Sequence, residues 1–478
     1  MARTTASRLV SAYTLIAYAT AARAETGTGT DAGFYVHVPS VSRGPEPKSA
    51  MQKLCDAAEP RFECIDVYDS GAYVRRTNAS NDTSSAESAV RKAFGSGAML
   101  GREVFQDIQG GKIHSQTSMP RAPLAVPTVS YLAGRDLLAE DSGLHLDELG
   151  ADVNDVAVNV IENEPWHLTF LNARDRGRCK RSTREWGVCA ARDENAYVYA
   201  RSGAGVTVYM LGEGVNVDHV DFSNERAVRG FDLFPGDDSP CSMWQGTHVA
   251  SMINGLVHGV AKDARVVSVA VTPGCRRQMP VRNMVRGMQF VLDDLRARAR
   301  ADDRGPAVLY TVPRVNVRTT DTATVLVVEQ LARALLRANV TIVSSTGAGR
   351  HDACGFTPQR LPEVIAPGAL DVFRTGSGEV LARPWMETNF GTCVDLWAPG
   401  ATIEGAFSPE IDATAVFSGT AQAGAITAGV AAMVLERDPT APPARVRETI
   451  RRAAVTPTLM LYTRPNTTMD VLQVPLFT

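Results

Sequence analysis

Side chains that could perform nucleophilic catalysis occur at several places in the chain. Ser418 and Thr420 stand in a turn that opens an alanine-rich helix, His248 lies in an earlier helical segment, and Glu213 follows an apolar strand. A hydroxyl nucleophile, an imidazole that takes its proton, a carboxylate that orients the imidazole and a donor for the oxyanion are the four parts of serine-type acyl transfer. These residue types raise the hypothesis of acyl transfer, provided that the fold brings them together.

The elements that must position these residues follow one another in strict alternation. Hydrophobic periodicity predicts the following order: strand 206–211, helix 246–256, strand 265–271, helix 281–298, strand 307–312, helix 323–338 and strand 340–345. This alternation predicts an α/β fold with a doubly wound, mainly parallel sheet and helices on both faces. Ligands of such sheets bind beyond the carboxyl ends of the strands. The small residues of 417–436 predict a further helix, buried in the middle of the domain.

Five ordered blocks resemble those of the subtilisin-like serine proteases, the peptidase S8 family, and especially its proteinase K-like branch with the related proprotein convertases. The blocks are VTVYMLGEGVNVDHVDF (206–222), QGTHVAS with HGVAKDARVVSVAV (245–271), TGA (346–348), NFGTCVDLWAPG (389–400) and FSGTAQAGAITAGVAAMVLE (417–436). The resemblance extends over roughly 165–454, and Pro165-Trp166 resembles the start of a mature catalytic domain. It implies a subtilisin-like fold and, for the family, serine endopeptidase activity.

The resemblance also implies where the catalytic residues of the family would lie. Carried over position by position, the aspartate falls on Gly212, the histidine on Gln245, the oxyanion asparagine on Ala348 and the nucleophilic serine on Ala421. Glycine and alanine offer neither a carboxylate nor a hydroxyl, and the amide of glutamine has no basic nitrogen. We therefore expect no functional catalytic residue at these positions and an inactive homologue, a pseudoprotease.

Neighbouring polar residues are not expected to substitute. Glu213 follows an extended segment, so its side chain is expected to point away from position 212. His248 matches a histidine that packs structurally in the family, and neither Ser418 nor Thr420 has an imidazole placed to deprotonate it.

Two further features oppose a rewired protease. Asp218-His219 is typical of a solvated turn. Where the family has a Leu-Gly-Gly type run along the substrate, this chain has Thr-Val-Pro-Arg at 311–314, and proline lacks the amide hydrogen that strand addition needs.

Composition and the first residues indicate a secreted globular protein. The 478 residues are 44% hydrophobic with a net charge of −3, which favours more than one domain and gives no indication of nucleic-acid binding. Arg3 and Arg8 precede an apolar run at 9–19, and Ala-Arg-Ala at 22–24 fits a cleavage site, so 1–24 are predicted to be a signal peptide. No later stretch is long and apolar enough for a membrane span. Secretion, or a secretory-pathway lumen, is therefore expected.

Three further regions follow the signal peptide. Residues 33–162 are predicted to form a propeptide-like inhibitor domain: a strand from Gly33, a helix 47–59, a strand 64–68, a polar insertion of about 77–130 with a helix near 86–93, and a second helix and strand at 144–161. Residues 163–455 form the subtilisin-like domain, and 456–478 form an extension expected to pack on it. Because the residues that perform self-cleavage in the family are missing, we expect the propeptide-like domain to remain attached in cis as a permanent lid unless another protease cuts it.

Cysteines and glycosylation triplets fit an exported protein. The eight cysteines allow four disulfides. The local pairs are Cys55–Cys64 and Cys179–Cys189, and the resemblance implies Cys241–Cys275 and Cys354–Cys393. Asn78, Asn81 and Asn466 are candidate glycosylation sites, whereas Asn339, which heads a fourth triplet, stands at the start of an apolar strand and is expected to be the least accessible.

Three functional hypotheses remain. The favoured one is a secreted pseudoprotease that binds a protein partner or receptor. The second is a serine endopeptidase with a non-standard active site, and the third is a decoy or folding helper for an active paralogue. No cofactor or metal site is predicted, and the sequence leaves calcium binding, oligomeric state and the partner open.

Overall fold

The computed structural model describes residues 34–38, 46–58, 62–76, 90, 98–102, 105–107, 112–113, 129–132, 158–161, 165–171, 197–237, 242–274, 278–303, 305–374, 380–456 and 464–475. The expected signal peptide, Cys179, Cys189, Cys241, Cys275, Asn78 and Asn81 lie outside these residues, as does the helix expected near 86–93 apart from Val90.

The strands are β1 Phe34–His37, β2 Phe62–Tyr68, β3 Gly71–Arg76, β4 Met99–Arg102, β5 Phe105–Asp107, β6 Lys112–Ile113, β7 Val129–Leu132, β8 Val158–Ile161, β9 Tyr197–Tyr199, β10 Thr207–Gly212, β11 Ala227–Asp232, β12 Arg265–Ala270, β13 Gln278–Pro280, β14 Ala307–Thr311, β15 Val315–Asn316, β16 Val340–Ser344, β17 Phe356–Thr357, β18 Pro367–Arg374, β19 Val380–Pro384, β20 Leu396–Pro399, β21 Ile403–Phe407 and β22 Ala413–Ser418. The α-helices are α1 Pro47–Ala58, α2 Trp166–Phe170, α3 Trp244–Asn254, α4 Val281–Arg300, α5 Thr322–Arg337, α6 Thr420–Arg437 and α7 Pro443–Ala453.

A parallel sheet lies at the centre of the larger domain. Its strand order is β11-β12-β10-β14-β16, and every neighbouring pair is parallel. The strands and helices predicted between 206 and 345 all form within a few residues of their expected bounds. The doubly wound α/β fold is therefore confirmed, and its carboxyl ends meet at one edge of the sheet.

Helices cover both faces of this sheet because its strands are apolar on both sides. Val208 and Met210 of β10 belong to the core shared with α3 and α6. Tyr209 and Leu211, which point to the opposite face, belong to the core shared with α4 and α5. β10 therefore contributes to the cores on both faces of the sheet.

Helix α6 is the central buried helix that its small residues predict. Its residues from Thr420 to Leu435 are all buried. At Gly424 an added Cβ would lie 2.6 Å from the ring of Tyr310 in β14, which explains why a residue without a side chain is required there. Small residues thus let the helix approach the sheet closely enough to fill the core.

The N-terminal module forms a separate antiparallel sheet with the order β2-β3-β1-β4, covered by α1. Its last strand, Met99–Arg102, lies inside the stretch that we expected to be an insertion. The strand expected to complete this module, β8 at Val158–Ile161, instead pairs with β7 and β9. That part of the prediction is wrong because a four-residue strand among serine and glycine residues has too short a pattern to be recognised.

The module rests on α4 and α5. Tyr35, Tyr68 and Tyr73 are buried in the same core as these two helices. Asp69, 4% exposed, joins the interface: its backbone N–H donates to Gln289 Oε1 at 3.0 Å and its carboxylate accepts from Arg296 Nη1 at 3.1 Å. Apolar rings and a charge network therefore hold the module in place together.

Replacing Asp69 with alanine should loosen this docking. The change removes one of the two carboxylates that Gln289 and Arg296 share and leaves them only Asp293, and because Arg296 is partly exposed we expect the free energy of unfolding to fall by about 1–3 kcal/mol. In this variant, amide hydrogen exchange measured by mass spectrometry should accelerate more in residues 34–76 than in the central sheet. Glu63→Ala, which removes an exposed carboxylate 3.7 Å from Arg75, is the matched control and should leave exchange unchanged. Equal protection in both variants would contradict the docking.

Two of the predicted disulfides fall within the described residues, and both are confirmed. Cys55 is bonded to Cys64, and Cys354 to Cys393, with Cα–Cα distances of 5.9 and 5.2 Å. The first ties α1 to β2, and the second joins the residues just before β17 to those just before β20.

The candidate glycosylation residue Asn466 is exposed, as expected. The expectation for Asn339 is wrong, because this residue is also exposed, in the turn between α5 and β16 with φ 64°. The apolar strand begins only at the next residue, so the asparagine itself remains in solvent.

The C-terminal stretch packs on the subtilisin-like domain, as predicted. Val471 forms bridges to Trp397 of β20 and to Val455. No helix in the described part of the chain is long and apolar enough to cross a membrane.

Candidate functional site

The first of the four carried-over positions, Gly212, is the last residue of β10. Side chains alternate along a strand, so position 212 faces the same way as Val208 and Met210, towards α3 and α6. A Cβ at Gly212 would meet Met210 and Val312 at 3.4 Å, which is ordinary contact. There is room for a side chain at this position, and the sequence supplies none.

Helix α3 begins against the end of β10. A Cβ added at Gly246 would lie 2.0 Å from the carbonyl oxygen of Gly214, so only glycine permits this approach. The Glu213 carboxylate accepts hydrogen bonds from the backbone N–H groups of Gln245, at 2.8 Å, and Gly246, at 3.4 Å. The expectation that Glu213 points away from the site is therefore wrong. Strand alternation stops at Gly212, and the helix N-terminus attracts the carboxylate.

The partly buried position of the Glu213 carboxyl against the start of α3 predicts a dependence of stability on pH. Burial raises the pKa of this carboxyl to about 7, despite the lowering effect of the two backbone N–H groups. A raised pKa means that the stabilising contribution is complete below the unfolded value of 4.5 and is lost as the pH rises through about 7. The free energy of unfolding of the parent protein and of Glu213→Gln can be measured in urea at each pH. The parent value minus the variant value should fall by about 1–3 kcal/mol between pH 4.5 and 7.5.

The control for this experiment is Glu225→Gln, which removes the same charge from an exposed loop. It should leave the pH dependence of the parent unchanged. A parent protein whose stability relative to Glu213→Gln is constant over this range would show that Glu213 is not buried as a helix cap.

At the oxyanion position, Ala348 is buried and has no side-chain donor. The guanidinium of Arg314 fills the space beside it: a Cβ added at Gly347 would lie 2.1–2.5 Å from its Nε, Cζ and Nη2 atoms. Arg314 is 7% exposed, and its guanidinium carbon lies 5.4 Å from the ring centroid of Phe356. The chain thus occupies this space with a side chain of its own.

At the nucleophile position, Ala421 stands in the first turn of α6. Its carbonyl oxygen accepts from the hydroxyl of Tyr310 at 2.6 Å. The Ser418 Oγ accepts from the backbone N–H of Thr402 at 2.7 Å, and the Thr420 Oγ1 accepts from that of Gly347 at 3.0 Å. These two hydroxyls hold the backbone around the turn.

His248 has the structural role that the sequence predicts. Its Nε2 lies 3.1 Å from the carbonyl oxygen of Ile403, and its Nδ1 lies 3.3 Å from the side-chain nitrogen of Gln422. The carbonyl requires Nε2 to donate, so Nδ1 accepts from the amide. Burial lowers the pKa of His248 to about 3. The ring is therefore neutral and both of its nitrogens are engaged.

The expectation of a solvated turn holds for Asp218, which is exposed, but is wrong for His219, which is 1% exposed. The Nε2 of His219 bonds to the carbonyl oxygen of Ala413 at 2.8 Å, and its Nδ1 accepts from the backbone N–H of Asp221 at 3.2 Å. The ring is thus a structural link between this loop and β22.

Sequence reasoning missed a buried Asp221–His258 pair, in which Oδ2 and Nδ1 are 2.9 Å apart. Burial alone would raise the pKa of Asp221, but the charge and hydrogen bond of His258 hold it below its usual range. The carboxylate also accepts from the backbone N–H of Val257 at 2.7 Å. The two residues lie on either side of α3 in sequence, and no periodic pattern joins them. The pair anchors the two loops that flank the helix.

Direct contacts join the four carried-over positions into one neighbourhood. Glu213 links the end of β10 to the start of α3, His248 and Gln422 link α3 to α6, and Thr420 links α6 to Gly347. In the described ranges, no group of three His, Cys, Asp or Glu side chains could hold a metal ion. What the neighbourhood offers is a set of packed backbone turns at the carboxyl ends of the strands.

The family model of the subtilases, "Subtilase family", matches residues 203–471. The chain belongs to the subtilase family. The matched segment contains the parallel sheet, α3, α6 and all four positions described above.

Two curated proteins illustrate the range of subtilases that this chain resembles. It is 30% identical over 281 residues to an extracellular serine proteinase of Thermus sp. (strain Rt41A), covering 56% of this chain and 62% of that protein. It is 32% identical over 252 residues to the rat (Rattus norvegicus) proprotein convertase subtilisin/kexin type 9, covering 51% of this chain and 34% of that protein. The matched part is thus less than two thirds of the length of either relative.

Solved structures agree with this subtilase fold. A cold-adapted subtilisin-like serine proteinase is 26% identical with a TM-score of 0.52, and the match covers 66% of this chain and 99% of that one. Fervidolysin from Fervidobacterium pennivorans, at 17% identity, has a TM-score of 0.58 and covers 95% of this chain and 62% of its own. The second likeness concerns the fold alone.

Proposed function

We propose that this subtilase homologue is catalytically inactive and acts by binding a protein. The observation that carries the proposal is the identity of four residues in one neighbourhood: Gly212, Gln245, Ala348 and Ala421 stand where the family resemblance expects the aspartate, histidine, asparagine and serine. None of the four can take the role of the residue that it replaces: Gly212 is no orienting carboxylate, Gln245 no general base, Ala348 no side-chain oxyanion donor and Ala421 no nucleophile.

The size of the expected loss leaves little room for residual turnover. In subtilisin itself, removal of the catalytic triad lowers turnover about 2 × 10⁶-fold. Loss of its oxyanion asparagine costs about 10² to 10³-fold. Because groups that act as a unit are not additive, the two factors are not multiplied. Loss of the triad alone is therefore sufficient to make peptide hydrolysis by the family mechanism negligible.

Local contacts support the same conclusion. Ser418 and Thr420 hold backbone N–H groups, and the imidazole of His248 is engaged on both sides. The guanidinium of Arg314 fills the space over Gly347, next to Ala348. The preceding residue, Pro313, has no N–H to donate to an extended peptide. Substrate positioning is therefore altered together with the chemistry.

Binding is the function that such a framework can still perform. The core around α6 is intact, so the loops at the carboxyl ends of the strands have a rigid support. We further propose that the protein is exported through the signal peptide at 1–24, is a glycoprotein, and keeps its N-terminal module attached. Its relatives include a proteinase named as extracellular. The partner is a protein, or a receptor, of unassigned identity.

An active endopeptidase with a non-standard site is the second candidate. The observation in its favour is that the Thermus relative is named a serine proteinase. It would need a nucleophile and base that are not at the carried-over positions, and the contacts of Ser418, Thr420 and His248 oppose it. A decoy or folding helper for an active paralogue would fit the same inactive site.

Denaturing gel electrophoresis of the secreted protein tests the proposal. We expect a single band near the full length minus the signal peptide, stable for days after purification. A variant with Ser418→Ala, Thr420→Val and His248→Gln serves as the control for hidden activity. A cleavage that proceeds in the purified parent protein but not in this folded variant would contradict the inactive assignment.

A further inference from the structure

The exposed turn between α5 and β16 begins an N-glycosylation triplet, Asn-Val-Thr at 339–341. Asn339 follows the last turn of α5, and its backbone N–H donates to the carbonyl oxygen of Leu336 at 3.0 Å. Its φ of 64° is a left-handed conformation that asparagine tolerates at the end of a helix. Asn339 is exposed, as are Arg337 and Ala338 before it. The amide of Asn339 therefore has room for a large substituent.

Thr341, the third residue of the triplet, is buried in β16 with 0% exposure. It pairs with Val308 of β14 and lies on the same face of β16 as Val343, and both valines belong to the apolar core that contains α6. Its hydroxyl has no hydrogen-bond partner in the described part of the chain. A buried hydroxyl without a partner destabilises the folded state, and valine would fill the same volume without this penalty. The fold alone therefore does not explain a threonine at this position.

N-glycosylation requires a hydroxyl residue two positions after the asparagine. The transfer takes place on the newly made chain, before a strand such as β16 is buried in its sheet. In this reaction the Nδ2 of the asparagine forms a bond to C1 of an oligosaccharide that is carried on a lipid pyrophosphate. The bond between C1 and the pyrophosphate oxygen breaks, the amide loses one proton, and the lipid pyrophosphate leaves. The hydroxyl of Thr341 thus has a use that ends before folding, while Asn339 stays in solvent afterwards.

We propose that Asn339 carries an N-linked glycan, and that the hydroxyl of Thr341 serves the attachment of this glycan and not the fold. The inference rests on the proposed export of the chain, because the transfer occurs in the secretory pathway. It assigns the modification to the one triplet that sequence reasoning expected to be least accessible.

The position of Asn339 limits where a protein partner can bind. β10 and β16 both run parallel to β14, so Asn339 lies at the edge of the sheet where these strands begin. Gly212 ends β10 at the opposite edge, one strand length of about 16 Å away. A glycan is bulky and solvated, so it obstructs the surface around its own attachment point. The partner would therefore bind away from the start of β16, and this glycan leaves the loops at the carboxyl ends of the strands free.

Peptide mass spectrometry of the full-length chain, expressed in a eukaryotic secretory cell, tests the modification. Release of N-linked glycans by peptide:N-glycosidase in heavy-oxygen water converts each glycosylated asparagine to an aspartate that contains heavy oxygen. We expect Asn339 to be labelled in the parent protein. Thr341→Ser, which keeps the hydroxyl, should retain the label, and Thr341→Val should lose it. Asn466, whose triplet is the same in all these proteins, is the internal control.

The outcomes separate this inference from the proposed function. A chain that reaches the medium with Asn339 unlabelled would overturn the inference and leave the proposed export intact. A chain that stays in the cytosol with every triplet unlabelled would refute export, and the inference with it. Label on Asn339 in Thr341→Val would overturn the role of the hydroxyl in attachment. Catalytic inactivity is tested by turnover and is independent of all these results.

Thermal unfolding tests whether the fold uses the hydroxyl of Thr341. In the Asn339→Asp background, in which residue 339 cannot be glycosylated, Thr341→Val removes only the buried hydroxyl. We expect this change to raise the Tm by about 2–4 °C, because no partner is lost with the hydroxyl. An unchanged or lower Tm would show that the fold uses the hydroxyl, and would overturn its assignment to glycan attachment.

Discussion

Replacing Asp221 with alanine is expected to lower the free energy of unfolding by about 3–5 kcal/mol at pH 7. The carboxylate is 1% exposed and holds two groups, the imidazole of His258 at 2.9 Å and the backbone N–H of Val257 at 2.7 Å. Its removal leaves both without a partner in a site closed to water. Urea unfolding of the parent and the variant measures the difference.

The effect of Asp221 should depend on pH with a definite sign. The pKa of this carboxyl is held below its ordinary value of 3.8, so its stabilising contribution is present above that value and is lost as the pH falls through the lowered pKa. The stability difference between parent and variant should therefore shrink in strong acid. Asp218→Ala, on the same loop, is the control: this exposed carboxylate lies 3.8 Å from the exposed Arg229 and should contribute less than about 0.5 kcal/mol. Equal effects of the two substitutions would contradict the buried pair.

Replacing Trp397 with alanine is expected to lower the free energy of unfolding by about 3–5 kcal/mol. The indole is 1% exposed and packs with Leu370 and Val471, and its Nε1 donates to the carbonyl oxygen of Thr468 at 2.7 Å. Loss of the ring leaves a cavity between β20 and the C-terminal stretch. Urea unfolding measures the loss, and hydrogen exchange should become faster in 464–475.

Trp397→Phe separates the two contributions of this residue. The phenyl ring fills most of the volume but cannot donate to Thr468, so the expected cost is about 1–2 kcal/mol. If Trp397→Ala were to cost less than about 1 kcal/mol, the C-terminal stretch would not depend on this anchor.

Much of the central fold is encoded in patterns that local sequence reveals. Short continuous apolar runs give β10 and its neighbours, and the small residues of α6, such as Gly424, mark a helix that packs closely on several sides. The Cys354–Cys393 pair followed from the family resemblance, since the two residues are 39 positions apart. These features can be predicted because each depends on residues within one element or within one recognisable block.

The features that escaped prediction depend on tertiary contacts. Glu213 turns towards α3 because the strand ends one residue earlier, and hydrophobic periodicity does not define an end so sharply. Asp221 and His258 meet across α3, and their ion pair has no local signature. β4 is short and follows a polar stretch, so the N-terminal sheet was assigned its last strand too late in the chain.

The pairing of β5 with β13 and of β6 with β22 was equally hidden. Residues 105–107 and 112–113 form strands only by adding to the edges of β13 and β22. Their own sequence is too short to carry a period, and the glycines between them favour a loop. The side chain of Arg314 presents the same difficulty, because its position over Gly347 follows from packing between two loops.

Reaction with a fluorophosphonate probe is the most direct test of catalytic inactivity, because the reagent labels an activated serine whatever peptide the enzyme prefers. The purified full-length protein would be incubated with the probe beside a heat-denatured sample and an active subtilase. We predict no labelling of this protein above the heat-denatured level. Heat-sensitive labelling that is abolished by Ser418→Ala or Thr420→Val would identify a working nucleophile and contradict the assignment of this chain as an inactive, protein-binding subtilase.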